Sequence, residues 1–357
     1  MSNDRPVTIK DVAREAGVTP AAVSMALRGH HRISAAMRAK ISSLAKSMGY
    51  RRNPAFATLG AMSHRHAASR NGLPIAFVHQ LEQNGQNRRN SLLMAGISRA
   101  SERLGYRLEE HLVADFAHMQ QLGKSLKARN VSGVILGNIT DASLLEALPL
   151  PRMALVAAGL YRSLLPVHTV RGSRFYAAEK TILHLVALGY RKILALVLWH
   201  LPEALEEDYA RYGGLVAGAK HRNLPDGWIR IVDRPYAEGD KTLPAWREII
   251  GRENPDVVVG FNSSDVHNVW PRAIRRPGAP AFAAIEVMDI HVPRVSGMIE
   301  HDVEIGEASV EWLDQLIRLM QFGLPAIPRS LLIEPAWNPG ETAPQVVRRN
   351  PNPASTV

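Results

Sequence analysis

A chain of 357 residues, 46% of them hydrophobic, can bury more than one core and suits two or three domains. It has no cysteine, which excludes disulfides, thiolate metal sites and a cysteine nucleophile, and it has neither the uninterrupted apolar run of a membrane helix (about 18 residues) nor the apolar stretch of a secretion signal, so a cytoplasmic protein without a membrane partner is expected. The net charge of +10 is concentrated: residues 1–72 hold twelve Lys/Arg against three Asp/Glu, or +9, while the other 285 hold 31 against 30, or +1, which points to a polyanion partner, nucleic acid first.

The predicted elements begin inside this basic segment. Thr8, with Asp11 three residues on in place of the usual Glu, opens a capping box, and "IKDVAREA" then presents Ile9, Val12, Ala13 and Ala16 on one face up to Gly17. A second helix starts at the N-cap Thr19, with Pro20 at the first helical position where its missing N–H costs nothing; it buries Val23 and Leu27 and ends at Gly29. A third runs from the N-cap Ser34 to Gly49 with Ile33, Met37, Ile41, Leu44, Ala45 and Met48 as its apolar stripe. Two short helices joined by a tight turn with glycine and braced by a longer third form the pattern of a helix-turn-helix DNA-binding unit, here residues 1–52. The alternative is a plain three-helix core with a solvated basic face. The second helix, "PAAVSMAL", has no acid and few long side chains on its outer face, as suits a helix seated in the major groove.

Residues 53–72 read as a hinge helix and linker. Asn53 can cap, Pro54 can stand first in the helix, and Phe56, Leu59 and Met62 share helical spacing before a polar, basic stretch. From Leu73 strand-like runs ("LPIAFVHQ", "VSGVILGNI", "MALVAAGL", "KILALVLW", "PDVVVGFN", "PAFAAIEV") alternate with helical ones ("NSLLMAGISRASERLGY", "AAEKTILHLVALGY", "ARYGGLVAGAKHRNL", "EIGEASVEWLDQLIRLMQFG"). Such alternation implies parallel sheets with helices on both faces, and over residues 73–340 its length implies two doubly wound α/β lobes, which take small molecules beyond the C-terminal ends of their strands. Residues 341–357, "ETAPQVVRRNPNPASTV", are rich in Pro and Asn and are expected to form a disordered tail.

An enzyme is not expected. "GYRKIL" and "YGGLVAGAK" lack the spacing of a P-loop or dinucleotide fingerprint, and neither a G-x-S-x-G elbow nor H-E-x-x-H occurs. The histidines raise a metal hypothesis at His64 and His66, and at His111, Asp115 and His118, where a shared helix face would bring His111 and His118 together. No further ligand stands at suitable spacing, so neither a metal nor another cofactor is expected.

The order of basic three-helix unit, linker helix and two α/β lobes resembles the lactose-repressor (LacI/GalR) family of bacterial transcriptional regulators. "VTIKDVAREAGVTPAAVSMALRG" resembles the family's opening "T-x-x-D-V-A-x-x-A-G-V-S-x-x-T-V-S-x-x-L-N", and "RISAAMRAKISSLAKSMGYRRNPAFATL" resembles its third helix, "G-Y-x-P-N" and hinge helix. "LHLVALGYRKILAL" is similar to the effector lobe's "H-L-x-x-L-G-H-x-x-I-A", and "GLPAIPRSLLIEPAWNPGET" to its closing strand. The resemblance implies an all-α helix-turn-helix unit followed by two doubly wound, periplasmic-binding-protein-like lobes. It also implies a homodimeric repressor that binds a palindromic double-stranded DNA operator and is gated by a small-molecule effector.

Residue by residue, the resemblance places Pro20 and Ala21 at the start of the recognition helix, facing base edges, with Met25 one turn later. Many relatives carry long polar or aromatic residues at the first two positions and often arginine at the third. Proline, alanine and methionine cannot make bidentate hydrogen bonds but can pack on thymine methyls; Met25 can equally fill the core. Arg28 and Arg32 are the expected compensating donors to bases, and Thr8, Thr19, Ser24, Ser34, Tyr50 and Asn53 match positions that touch phosphates. Leu59 matches the leucine that relatives wedge into the minor groove, where a pair would kink a base step at a cost of a few kcal/mol; outside the family context a linker leucine is a packing residue. Gly60 weakens that helix by about 1 kcal/mol, consistent with a segment that folds only on DNA. In the lobes, "RYGGLVAGA" resembles "R-x-x-G-[FYW]-x-x-A" and makes Arg211 the first choice for gripping an effector hydroxyl or carboxylate. Asn262 stands where relatives have an Asn-Asp pair, with Ser263 replacing the Asp; Glu286 stands where many have Asp; Tyr176 or a neighbour replaces an acid that many sugar binders supply. A sugar or sugar derivative is implied, though these replacements argue against a simple sugar. The alternative is a constitutive DNA binder whose lobes serve only as a dimerisation scaffold.

Overall fold

The computed structural model describes residues 7–27, 33–50, 72–80, 86–137, 139, 143–159, 166–199, 206–235, 243–263, 279–288 and 291–346. The head consists of α1 (Ile9–Ala16), α2 (Pro20–Leu27) and α3 (Ala35–Ser47) around Val12, Ala13, Val23, Ala26, Ile41 and Ala45. Its termini are fixed locally. The Thr8 backbone N–H and hydroxyl both donate to the Asp11 carboxylate, at 2.9 and 2.6 Å, so the short Asp completes the box. Gly17 takes a left-handed conformation (φ 68°) that lets its own N–H and that of Val18 bond back to α1 before the chain turns into α2. The Thr19 hydroxyl accepts from the Ala22 N–H at 3.2 Å, and the Ser34 hydroxyl from the Met37 N–H at 3.3 Å. Leu27, expected to be buried, is only half-buried, and Met37 of the α3 stripe is exposed. Leu27 still packs against the edge of the core, whereas Met37, in the first turn of α3, lies outside it.

Two six-stranded sheets follow. β1 (Leu73–His79), β2 (Tyr106–Leu112), β3 (Gly133–Gly137), β4 (Ala154–Ala158), β5 (His168–Gly172) and β11 (Ser330–Ile333) form the first, in the order β11-β5-β4-β3-β1-β2, all parallel. β6 (Ile193–Trp199), β7 (Ile229–Pro235), β8 (Val257–Asn262), β9 (Ala281–Glu286), β10 (Gly297–Ile299) and β12 (Ala336–Asn338) form the second, in the order β12-β10-β9-β8-β6-β7. Here β12 runs antiparallel to β10, the one pair in which the expected all-parallel arrangement fails among the described strands.

Strand alternation feeds both faces of each sheet. Ala76 and Val78 of β1 pack under α5 (Met119–Ala128) and α6 (Ser143–Ala147); Ile75 and Phe77 pack under α4 (Gln86–Leu104) and α10 (Asp302–Arg318). In the second lobe Ala195 and Val197 of β6 face α7 (Arg174–Ala187) and α8 (Glu206–His221), while Leu194 and Leu196 face α9 (Leu243–Glu253). No described helix is long and apolar enough to cross a membrane.

The chain crosses between lobes three times: from β5 into α7, from β10 into α10, and from β11 into β12. The first two crossings leave from C-terminal strand ends, so the C-terminal ends of both sheets stand at the boundary between the lobes. Residues 341–346 correct the expected start of the disordered tail. The Thr342 hydroxyl donates to the Phe282 carbonyl (2.8 Å), Ala343 is buried with its N–H on the Ser296 hydroxyl (2.8 Å), and the Val346 N–H donates to the Leu188 carbonyl (2.8 Å). The α/β unit therefore extends past residue 340. Pro- and Asn-rich composition does not reveal partners supplied by a distant strand.

Two buried histidines, His111 and His168, and the half-buried His184 tie stability to pH. Burial pushes His111, His168 and His184 below their ordinary value, with Glu109 opposing it at His111, and with Arg329 and Lys180 adding to it at His168 and His184. His168 stacks on Trp312 and His184 on Trp337. Because the folded pKa lies below the unfolded one, the unfolded chain takes up protons first as pH falls. Stability is expected to decline as pH drops through about 6.5, and His184→Gln should flatten that decline in chemical-denaturation midpoints. A midpoint that rises on acidification would contradict this sign.

Candidate nucleic-acid interface and interlobe cleft

On the head, Pro20 and Ala21 are exposed in the first turn of α2, and Ser24 and Met25 lie half-exposed one turn later on the same face. The head's core is closed by Val23 and Ala26 from the opposite face, so the core does not need Met25. The hydroxyls of Thr8, Thr19 and Ser34 sit at helix starts engaged in capping, and Tyr50 packs half-buried against the core. Arg28, Arg32, Asn53 and Leu59 lie outside the described residues.

In the second lobe the strand ends gather three of the four residues singled out for effector binding. Asn262 and Glu286 end adjacent strands in register, and the Ser263 N–H donates to the Glu286 carbonyl at 2.8 Å. Arg211, 4% exposed on α8, pairs with the fully buried Asp208 one turn away (3.0 Å) and lies 3.9 Å from the Phe261 ring centroid, so the residue before Asn262 carries it by cation–π contact. Ser263, where relatives have Asp, is buried; its hydroxyl accepts from the Met288 N–H at 2.8 Å and meets His291 Nδ1 at 2.7 Å. Tyr176 stands apart: it is exposed in the first turn of α7, edge-on to Phe175.

Beside these lies a residue that the sequence does not flag. Arg174, the first residue of α7 and 3% exposed, places Nη1 at 3.3 Å from Glu286 and in contact with the Glu300 carboxylate. Glu300 follows β10 at the second crossing and packs over Gly172 at the first. Arg174 thus links Glu286, at the end of β9, to two crossings. A cation at a helix N-terminus opposes the helix dipole, so its placement depends on these acids. A second ion pair bridges the lobes directly: Arg171 of β5 reaches Glu206 (3.2 Å) and Glu207 (3.3 Å) at the start of α8. From the first lobe, the strand end of β1 contributes His79, buried and 2.8 Å from Glu110.

The metal hypothesis loses its premise at His111 and His118. His111 lies in β2 and His118 precedes α5, so no helix face joins them. Among the described residues no group of His, Asp and Glu could hold a metal ion.

Comparison with known proteins agrees with this geometry. Residues 8–53 match the family described as bacterial regulatory proteins, lacI family. The HTH-type transcriptional regulator PtxS of Pseudomonas plecoglossicida is 29% identical over 197 residues, 53% of each chain, so the match spans about half the length of that relative. The maltose regulon regulatory protein MalI of Escherichia coli (strain K12) is 26% identical over 281 residues, 76% of each chain. Among solved structures, the lac repressor dimer bound to operator and the anti-inducer ONPF shares the fold with a TM-score of 0.55 at 18% identity, covering 95% of this chain and all of that one.

Proposed function

We propose that this chain, whose residues 8–53 match the lacI family of bacterial regulatory proteins, is a ligand-gated repressor that binds a palindromic operator as a homodimer. The observation that carries this reading is a strongly basic helix-turn-helix head, with α2 facing outward, joined to a two-lobed unit whose facing strand ends collect Arg211, Asn262 and Glu286. Pro20, Ala21 and Met25 meet base edges, with Arg28 and Arg32 beyond them; Thr8, Thr19, Ser24, Ser34, Tyr50 and Asn53 fix the register on phosphates, and Leu59 enters the minor groove. A hydroxylated or carboxylated effector, a sugar derivative, docks beyond β8 and β9, gripped by Arg211. Its closure of the lobes shifts the spacing of the paired hinge segments and so DNA affinity, with a coupling typically of about 1–3 kcal/mol. Two copies present two heads, and the symmetry of the pair is mirrored in the half-sites.

A second reading has one specific support: Arg211 and Glu286 already have partners in the chain itself, Asp208 and Arg174. On that reading the cleft is self-satisfied, and the lobes are a constitutive dimerisation scaffold. Thermal denaturation across neutral and acidic sugars separates the two. Under the gated reading one ligand at 100 times its Kd adds about 2.7 kcal/mol of stability and changes duplex affinity; Arg211→Ala abolishes both effects. A panel that alters neither supports the scaffold.

A further inference from the structure

The outward face of α2 has an unusual chemical inventory. Of residues 20–27, "PAAVSMAL", only Ser24 carries a side-chain hydrogen-bonding group, apart from the weak thioether acceptor of Met25. The backbone offers little more. Pro20 has no N–H, the Ala22 N–H is held by the Thr19 hydroxyl, and the Val23 N–H by the Thr19 carbonyl. The groups actually presented at the exposed first turn are the proline ring and the methyl of Ala21, followed by the half-exposed thioether chain of Met25. A lone hydroxyl cannot make the bidentate contacts by which arginine selects guanine or glutamine selects adenine. The one apolar feature on the major-groove edge of a base pair is the pyrimidine C5-methyl group.

We propose that α2 is a methyl reader, recognising its half-site through pyrimidine C5-methyl groups packed on Pro20, Ala21 and Met25, so that DNA binding by this chain responds to cytosine methylation. The proposal rests on the DNA-binding reading above. The occupant is argued from charge: the segment that displays this neutral face carries +9, so an apolar strip belongs to a strongly basic segment, a combination suited to a polyanion bearing methyl groups. Flexible Met25 adapts to a methyl without a fixed geometry. A cytosine with a C5-methyl presents the same group at the same place as thymine, and α2 sets no carboxylate or amide against its N4 amine. Thymine and 5-methylcytosine are therefore near-equivalent beneath this helix, whereas uracil and unmodified cytosine are not.

The test uses the full-length chain and a duplex it enriches from a random pool. Replacing thymines one at a time by deoxyuridine should weaken binding about fourfold at each of two or more positions per half-site, the equivalent of one buried methyl group. Unmodified cytosine at those positions should weaken binding at least as much, and 5-methylcytosine should restore most of the loss. Met25→Ala, at a half-exposed site that leaves the core intact, should erase the uracil penalty at one position and keep the others. Specific binding that persists while every uracil substitution stays within twofold overturns the methyl reading. Failure to enrich any duplex instead removes the DNA-binding reading beneath it, so the two failures are distinct.

Discussion

Replacing Arg174 by alanine is expected to destabilise the chain by about 3–5 kcal/mol. Arg174 is 3% exposed and stands between Glu286 and Glu300, which are 8% and 4% exposed. Two carboxylates buried against one guanidinium share its charge, and removing it takes away that counter-charge, which favours protonation, water entry or separation of the crossings they join. Urea denaturation should show the loss as a lower midpoint with little change in slope. Combining Arg174→Met with Glu286→Gln and Glu300→Gln should recover most of it, because no unpaired charge then remains. If the single variant is as stable as the parent, the triad is not a buried charge cluster, and the link between cleft and crossings falls with it.

The second large effect lies in the first lobe, where α4 and α10 approach backbone to backbone. A Cβ at Gly96 would stand 1.9 Å from the Val303 carbonyl oxygen, and one at Gly306 would stand 2.3 Å from that of Leu93. Neither neighbour is a side-chain end that can swing away, so Gly96→Ala must push the helices apart and disturb the cluster of Leu93, Ile97, Ile305 and Leu313. The expected loss is about 3 kcal/mol. The flanking pairs Arg99–Glu307 and Arg103–Glu311 are largely exposed and cannot offset this. Gly251 of α9 is the control: a Cβ there meets nothing within 4 Å, so Gly251→Ala should stabilise by up to about 1 kcal/mol through helix propensity. Equal outcomes at Gly96 and Gly251 would contradict the close packing.

The head and the alternation of strands and helices were legible in the sequence because their causes are local. Thr8 and Asp11, Thr19 before Pro20, and Ser34 act over three residues, and the strands stand out as short continuous apolar runs. The cleft was legible only in part. Arg211, Asn262 and Glu286 were reached through the family's spacing, and the strand ends bring them together. Arg174, Glu300, Arg171 and His79 were missed because each acquires its role from partners far along the chain. The one available signal was electrostatic: a basic residue directly after a helix-capping serine opposes the dipole and implies a compensating acid. The antiparallel β12 is three residues long and carries no period, and residues 341–346 are ordered by partners on β9, just before β10 and at the C-cap of α7 that their composition does not encode.

The central claim is that the basic head docks on duplex DNA through α2, in two copies related by symmetry. Selection of random duplexes by the purified full-length chain tests it most directly. The expected result is enrichment of an inverted repeat whose affinity falls steeply with salt. A pool that emerges unchanged, with no duplex preferred over competitor at modest salt, would contradict it.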